Sequence, residues 1–285
     1  MRFSQIAQRA FRGLVTSLRL GRPAVFSHDG EDALHPHRRR HLDLIEFMLA
    51  VDLDKRVRML DVGCGFGSLA LRLRRTGFEH VEGVDFLDPR EIPAEALDSM
   101  ERYVQADLNS SGLAHFASES FDVVVSSDVI EHIESPAFLL REIARVLVPG
   151  GTIFLTYPNA FNMFERLVML ASGNSTRYRI EAPGSYGHIS MLPQHVLVSL
   201  ATRAGLRIEH EGRGYCMFAN TMIMPTRNFG PAWSFVRYVH LVKPARVVHP
   251  LAAAGQQAEG ETVNQSAFAL SEQQNVGGGP VQGQP

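Results

Sequence analysis

The segment Met59–Ala70 reads MLDVGCGFGSLA. An apolar run closes on Asp61. Gly63, Gly65 and Gly67 then alternate before a helix-like pattern begins. Such a turn at the end of a strand lets backbone pass close to a bound cofactor, because no Cβ stands in the way. The spacing discriminates between cofactors. A dinucleotide turn is G-x-G-x-x-G. Here the third glycine stands one place earlier, and Ser68 holds the position which that pattern reserves for it. Asp85 follows Asp61 by 24 positions, close to the roughly 20-residue gap from a glycine turn to an acid that holds a ribose diol. A carboxylate suits that role because it can accept from both hydroxyls at once. By position alone Asp85 is equally a solvated strand-end acid. The third chemical element is imidazole, which titrates near neutrality. His132, in SSDVIEHI, is thus a candidate general base, or a positioning or capping histidine at the entry to the following helix.

Alternating strands and helices must carry these residues. Val57–Val62 reads as a short buried strand, Leu69–Arg75 as a helix stopped at Gly77, and His80–Asp85 as a second strand. Arg102–Ala106 is a weaker third and Phe121–Ser126 a strong fourth. Pro136–Val148 places Phe138, Leu139, Ile143, Val146 and Leu147 on one helical face. Pro149–Gly151 ends that helix, and Thr152–Tyr157 is a fifth strand. Repeated β-α units predict an α/β fold: a Rossmann-like, mostly parallel seven-stranded sheet with helices on both faces. Ligands then bind at the carboxyl ends of the strands.

The flanking regions read differently. Residues 1–28 contain Arg2, Arg9, Arg12, Arg19 and Arg22 and no acid, with apolar residues at helical spacing. This is a basic amphipathic helix that packs as a lid, lies on a membrane surface or targets an organelle. His35, His37 and His41 surround Arg38–Arg40, which repel a cation, so no metal site is expected there or elsewhere. Leu42, Ile45 and Leu49 suggest a helix docking before the first strand. Residues 158–192 interrupt the rhythm and suit a substrate cover. Gln194–Ala204 is a helix, Leu206–His210 a strand, and Tyr215–Met224 strand-like. Asn228–Val248 carries Phe229, Trp233, Phe235, Tyr238 and Val242; a packed terminal helix is favoured over a membrane-facing or partner-facing patch. Residues 251–285, rich in Gln and Gly, are expected to be disordered. The division expected is therefore 1–50, a helical and basic start; 51–224, the cofactor-binding domain with its insertion 158–192; 225–250, an extension; and 251–285, a tail.

Composition narrows the partners. The 285-residue chain is 45% hydrophobic and 20% charged, with a net charge of −2, so charge gives no reason to expect nucleic acid. Cys64 and Cys216 lie far apart and match no metal or disulfide framework. That favours a reducing, cytoplasmic setting. No apolar run reaches the roughly 18–20 residues of a membrane helix. Peripheral membrane contact through 1–28 or 229–242 stays open.

The turn in the form LDVGCGFG resembles motif I of the class I S-adenosylmethionine-dependent methyltransferases. The order in which Asp85, FDVVVSSDVIEHI and PGGTIFLTYPN follow it is similar to that family from about Val57 to Glu209. The resemblance implies S-adenosyl-L-methionine as cofactor, bound by Asp61, Gly63, Gly65, Gly67, Asp85 and Phe86. It implies that Asp107 accepts from the adenine amino group while the Leu108 N–H bonds the ring. Ser127 and Asp128 would face the amino group and sulfonium of the methionine end, where negative groups suit a cation. Glu131–His132 resembles an E-H pair at the rim. YGHISMLPQHVLVSLATRAGLRIE resembles a family segment in which an aromatic normally follows the histidine; Ser190, Met191 and Leu192 stand there instead. His188 is the second candidate for substrate contact or proton removal. The activity so implied is methyl transfer to an oxygen, less readily nitrogen or carbon, of a small or amphiphilic acceptor such as a lipid, a quinone or a cell-surface sugar precursor. A cofactor-binding protein without catalysis and an NAD-dependent oxidoreductase are the alternatives.

Overall fold

The computed structural model describes residues 36–175, 187–214, 216–218, 222–224 and 231–245. The expectations for 1–28, for the tail and for much of the cover lie outside these residues. The elements are α1 (Pro36–Leu49), β1 (Arg58–Val62), α2 (Ser68–Arg75), β2 (His80–Asp85), α3 (Ala94–Asp98), β3 (Arg102–Gln105), β4 (Phe121–Ser127), α4 (Pro136–Val146), β5 (Leu147–Pro158), α5 (Met163–Ser172), α6 (Gln194–Arg203), β6 (Arg207–Arg213), β7 (Cys216–Phe218), β8 (Met222–Met224) and β9 (Val236–Val242).

Seven strands form one sheet in the order β3-β2-β1-β4-β5-β9-β6. The first five are mutually parallel and β9 runs antiparallel to both its neighbours. The Rossmann-like, mostly parallel arrangement expected from the β-α rhythm is present. Strand alternation sorts the core into two layers. Leu60, Val62 and Val124 join Leu139, Leu140 and Ile143 of α4 and Leu197 of α6 on one face. Met59, Val123 and Val125 join Leu44 and Met48 of α1 and Leu69 and Leu73 of α2 on the other.

Three expectations need correction. The stretch 236–242 is neither a helix nor a surface patch. It is β9, inserted between β5 and β6, with Val236, Tyr238, Val239 and Leu241 buried. The sheet thus includes a strand that lies past residue 224. Valine and tyrosine in VRYVHLV fit a pleated surface, and β5 and β6 each present an edge that this strand covers. Second, α1 does dock before β1, but through Leu44, Ile45 and Met48, whereas Leu42 and Leu49 are exposed. Burying Leu44 and Met48 contributes up to about 1.5–3 kcal/mol each and fixes the rotation of the helix. Third, Tyr215–Met224 is not one strand: β7 and β8 pair with each other as a separate two-stranded sheet. No helix among the described residues is long and apolar enough to cross a membrane.

Candidate functional site

The carboxyl ends of β1, β2 and β4 converge on the glycine turn. The N–H groups of Gly63 and Cys64 both donate to the Val84 carbonyl, at 2.8 and 3.2 Å, lacing the turn to β2. Gly63, Gly65 and Gly67 all have positive φ, at 70°, 53° and 72°, which glycine adopts without a Cβ penalty. The surroundings of the first two differ. A Cβ on Gly63 would overlap the methyl groups of Val129, while one on Gly65 would meet nothing within 4 Å. Gly65 therefore borders open space, and Gly63 is where the turn after β4 packs against the turn after β1. Cys64 is buried, and burial pushes its thiol well above the usual range. It fills space beside Gly83 and is no nucleophile.

Asp85 is almost fully buried and holds the turn directly. Its Oδ2 accepts from the Gly65 N–H at 2.8 Å and its Oδ1 from the Leu87 N–H at 3.2 Å. Each oxygen keeps a second lone pair, so these bonds orient the carboxylate without consuming its acceptor capacity. Phe86, next in sequence, is exposed. Its carbonyl accepts from Gln105 Nε2 at 3.1 Å, tying it to the end of β3. Asp107 lies just beyond β3 and is exposed; its Oδ1 accepts from the Asn109 N–H at 2.9 Å. The Leu108 side chain enters the core.

Two carboxylates below the turn have unsatisfied oxygens. Asp61 is 1% exposed and its Oδ2 has no hydrogen-bond partner. Burial, reinforced by the charge of Asp85 and opposed by the Ala70 N–H, pushes its carboxyl up to about 7. Asp128 is a non-glycine residue held at φ 55°, with its N–H donating to the Thr156 carbonyl at 3.1 Å. Its Oδ1 is buried and has no hydrogen-bond partner. Its Oδ2 pairs with the Arg40 guanidinium from α1. Ser127 Oγ lies 3.1 Å from Thr156 Oγ1. A ligand carrying a diol at one end and a cationic centre at the other would satisfy these groups: the diol at Asp85, the cation towards Asp61 and Asp128. S-adenosyl-L-methionine fits this donor and acceptor set.

Arg40 is the residue that sequence reasoning missed. In HRRRH it reads as one of three solvated cations; only the burial of Leu44 and Met48 turns it inward. His41 makes a second link, its Nδ1 lying 3.3 Å from Ser68 Oγ at the start of α2.

The two candidate histidines meet. Val129 leads from the Gly63 contact into a short 3₁₀ turn, Ile130–His132. His132 and His188 face each other edge to face, 4.8 Å between ring centroids. Both Nε2 atoms lie 3.9 Å from Oε1 of Glu131, which is 1% exposed. The Glu131 carbonyl accepts from the N–H groups of Ile189 and Ser190, each at 2.9 Å, and Ser190 Oγ donates to the Ile133 carbonyl at 2.7 Å. Ser190, in the segment where this chain departs from the family pattern, is thus one of the groups that bring His188 to His132.

Comparison with known proteins agrees with this geometry. A family model described as a methyltransferase domain matches residues 34–211. A ubiquinone biosynthesis O-methyltransferase of Xanthomonas campestris pv. campestris is 38% identical over 105 residues, 36% of this chain and 43% of the relative. A protein with the same description from Xanthomonas euvesicatoria pv. vesicatoria is 31% identical over 155 residues, 53% of this chain and 63% of the relative. The chain thus spans less than two thirds of the length of these curated relatives. Among solved structures, a SAM-dependent methyltransferase from Methanosarcina mazei superposes with a TM-score of 0.51 at 18% identity, covering 70% of this chain and 97% of that one. That likeness concerns the fold.

Proposed function

Because the chain belongs to the methyltransferase-domain family, with S-adenosyl-L-methionine as the cofactor of such a domain, we propose that the protein transfers the sulfonium methyl to an oxygen of a small or amphiphilic acceptor. One observation carries the choice of oxygen. Two imidazoles backed by a buried carboxylate stand at the exit of β4, four residues or fewer from Asp128 in the case of Glu131 and His132. A hydroxyl acceptor must lose a proton as it becomes an ether, and a cluster of this kind provides for that loss. An amine acceptor would need no such assembly.

When bound, the cofactor supplies a methyl group already activated for displacement. The chain's own residues then have three tasks. Asp85, oriented by Gly65 and Leu87, holds the ribose end, with Phe86 and the Asp107–Leu108 segment at the base. Asp61, Asp128 and Ser127 surround the cationic end. Glu131, His132 and His188 hold the acceptor hydroxyl and assist its deprotonation. Alignment of this kind is worth on the order of 7–11 kcal/mol of barrier in good cases.

The names of the Xanthomonas relatives favour a quinone-like aromatic acceptor. The exposed side chains of Leu167 and Leu170 on α5, in the expected cover, suit an acceptor with an apolar tail. The test is incubation with methyl-labelled S-adenosyl-L-methionine and paired hydroxyl and amine acceptors on one aromatic amphiphile. Label in a methyl ether is expected; label in the amine alone overturns the reading.

A further inference from the structure

We propose that Arg237 and Tyr157 form an anion subsite that receives a carboxylate of the acceptor. This rests on the acceptor-side reading above and narrows it to an acidic acceptor.

The starting observation is a set of polar groups without partners on one face of the sheet. Tyr157 on β5 is 1% exposed, and its hydroxyl has no hydrogen-bond partner. Directly opposite on β9 stands Arg237, half-buried, with a buried Nε that has none either. Among the described residues Arg237 makes no ion pair. Facing residues of an antiparallel pair point to the same side, with Cβ atoms about 4.5–5.5 Å apart. Ser126 on β4 is fully buried and shares that side, because its register partner is Leu155, two residues before Tyr157. Its Oγ is unpartnered as well. Buried hydroxyl and guanidinium N–H groups ordinarily find acceptors, since an unpaired one loses its hydration for nothing in return. Three of them on neighbouring strands, near the carboxyl ends of the sheet, point to an acceptor atom that arrives with the ligand.

The chemistry of the pair selects an anion. Burial pushes the Tyr157 hydroxyl up to about 12, against the pull of the Arg237 charge, so at neutral pH the phenol is a donor. Arginine offers five donors and no acceptor. Its planar fork matches a carboxylate through two parallel hydrogen bonds. The nearby carboxylate, Glu211 on β6, is held by Gln194 Nε2 at the start of α6 and not by Arg237.

Position selects the acceptor over the cofactor. The groups proposed for the cofactor lie at the ends of β2, β1 and β4, and β5 and β9 come next along the sheet. Thr156, one residue before Tyr157, accepts from the Asp128 N–H. Tyr157 lies in the same core layer as Ile130 and Ile133, which bracket Glu131–His132, and as Leu192, four residues after His188. Strands stand about 4.8 Å apart, so β9 is roughly 10 Å across the sheet from the exit of β4. An aromatic acceptor with its hydroxyl at the histidines and a carboxylate at its far end spans that distance. Holding the far end fixes which oxygen meets the methyl group.

The test is calorimetry on the full chain with S-adenosyl-L-homocysteine present. Its two probes are hydroxyphenylpropanoate, with the hydroxyl para to the chain, and the neutral primary amide of the same acid. The acid is expected to bind at least about tenfold tighter than the amide. Arg237→Gln should abolish that preference and leave amide affinity within about twofold. Tyr157→Phe should reduce the preference at least about threefold without lowering ligand-free stability, because the hydroxyl it removes has no partner. A merely structural tyrosine would show the reverse: lower stability and an intact preference. Should Arg237→Gln fail to fold, Tyr157→Phe carries the test. Equal affinity for acid and amide in the unaltered protein, binding of neither, or a preference unchanged in the variants overturns the proposal. An intact, variant-sensitive preference with no methyl transfer to either probe would instead break the functional reading and leave the subsite standing.

Discussion

The proposed cofactor side and the proposed acceptor side of this site are built by different means. On the proposed cofactor side, the turn after β1 is bonded to the end of β2: the Gly63 and Cys64 N–H groups donate to the Val84 carbonyl, and the Asp85 carboxylate accepts from the Gly65 and Leu87 N–H groups. Its side chains sit at strand ends whose positions the parallel sheet dictates. On the acceptor side, the groups that meet come from segments 55 positions apart, joined where His132 approaches Gly187 and Ile189 approaches Glu131. The first side is specified by local sequence and the second by which segment lands on it. A site made this way can keep its cofactor chemistry while its acceptor chemistry varies.

The largest expected effects come from the glycine turn, and they split. Gly63→Val forces a left-handed backbone and overlaps Val129, so it should lower both stability and cofactor affinity, the latter more than about 100-fold. Gly65→Val meets open space, so its stability loss should be confined to about 1–2 kcal/mol of backbone strain. It should nevertheless weaken S-adenosyl-L-methionine binding by a similar factor, because its side chain enters the space the cofactor needs. Thermal shift and calorimetry on both variants check this. Full affinity in Gly65→Val would place the cofactor elsewhere.

A smaller effect follows from Asp61. Its folded carboxyl is raised from 3.8 to about 7, so between these values the folded chain binds a proton that the unfolded chain has released. Stability from this group is complete below about pH 4 and is lost as pH rises through about 7. Asp61→Asn removes that loss. Above pH 7 the ligand-free variant should resist urea better than the unaltered protein by at least about 1 kcal/mol, with the gap closing towards about pH 4. Cofactor affinity should fall, since a neutral amide replaces the carboxylate proposed to face the cation. Parallel pH–stability curves for the two proteins would contradict this account of Asp61.

The same division decides what the sequence disclosed. Asp85 and the alternating glycines were legible because a strand-end acid and a turn at fixed spacing are local patterns. His132 and His188 could be singled out as imidazoles near strand ends, but no pattern says that they touch or that Glu131 lies beneath both. That contact depends on Ile189 and Ser190 bonding across the fold. Arg40 was hidden among three adjacent arginines, since its partner Asp128 lies far along the chain, just past the end of β4. Val236–Val242 was misread because its apolar residues fit a helical face as well as a strand. Only the edges that β5 and β6 leave open decide for the strand.

The central claim is that the two sides do separate work, and one paired measurement tests it most directly: S-adenosyl-L-methionine affinity and single-turnover rate in Asp85→Ala and His188→Ala. The account predicts a roughly 100-fold loss of affinity in Asp85→Ala, from the loss of a charged acceptor that leaves the Gly65 and Leu87 N–H groups unpaired. In His188→Ala it predicts affinity within about twofold and a rate reduced on the order of 10²–10⁴-fold. Equal losses of affinity in the two variants, or an unchanged rate in His188→Ala, would contradict it.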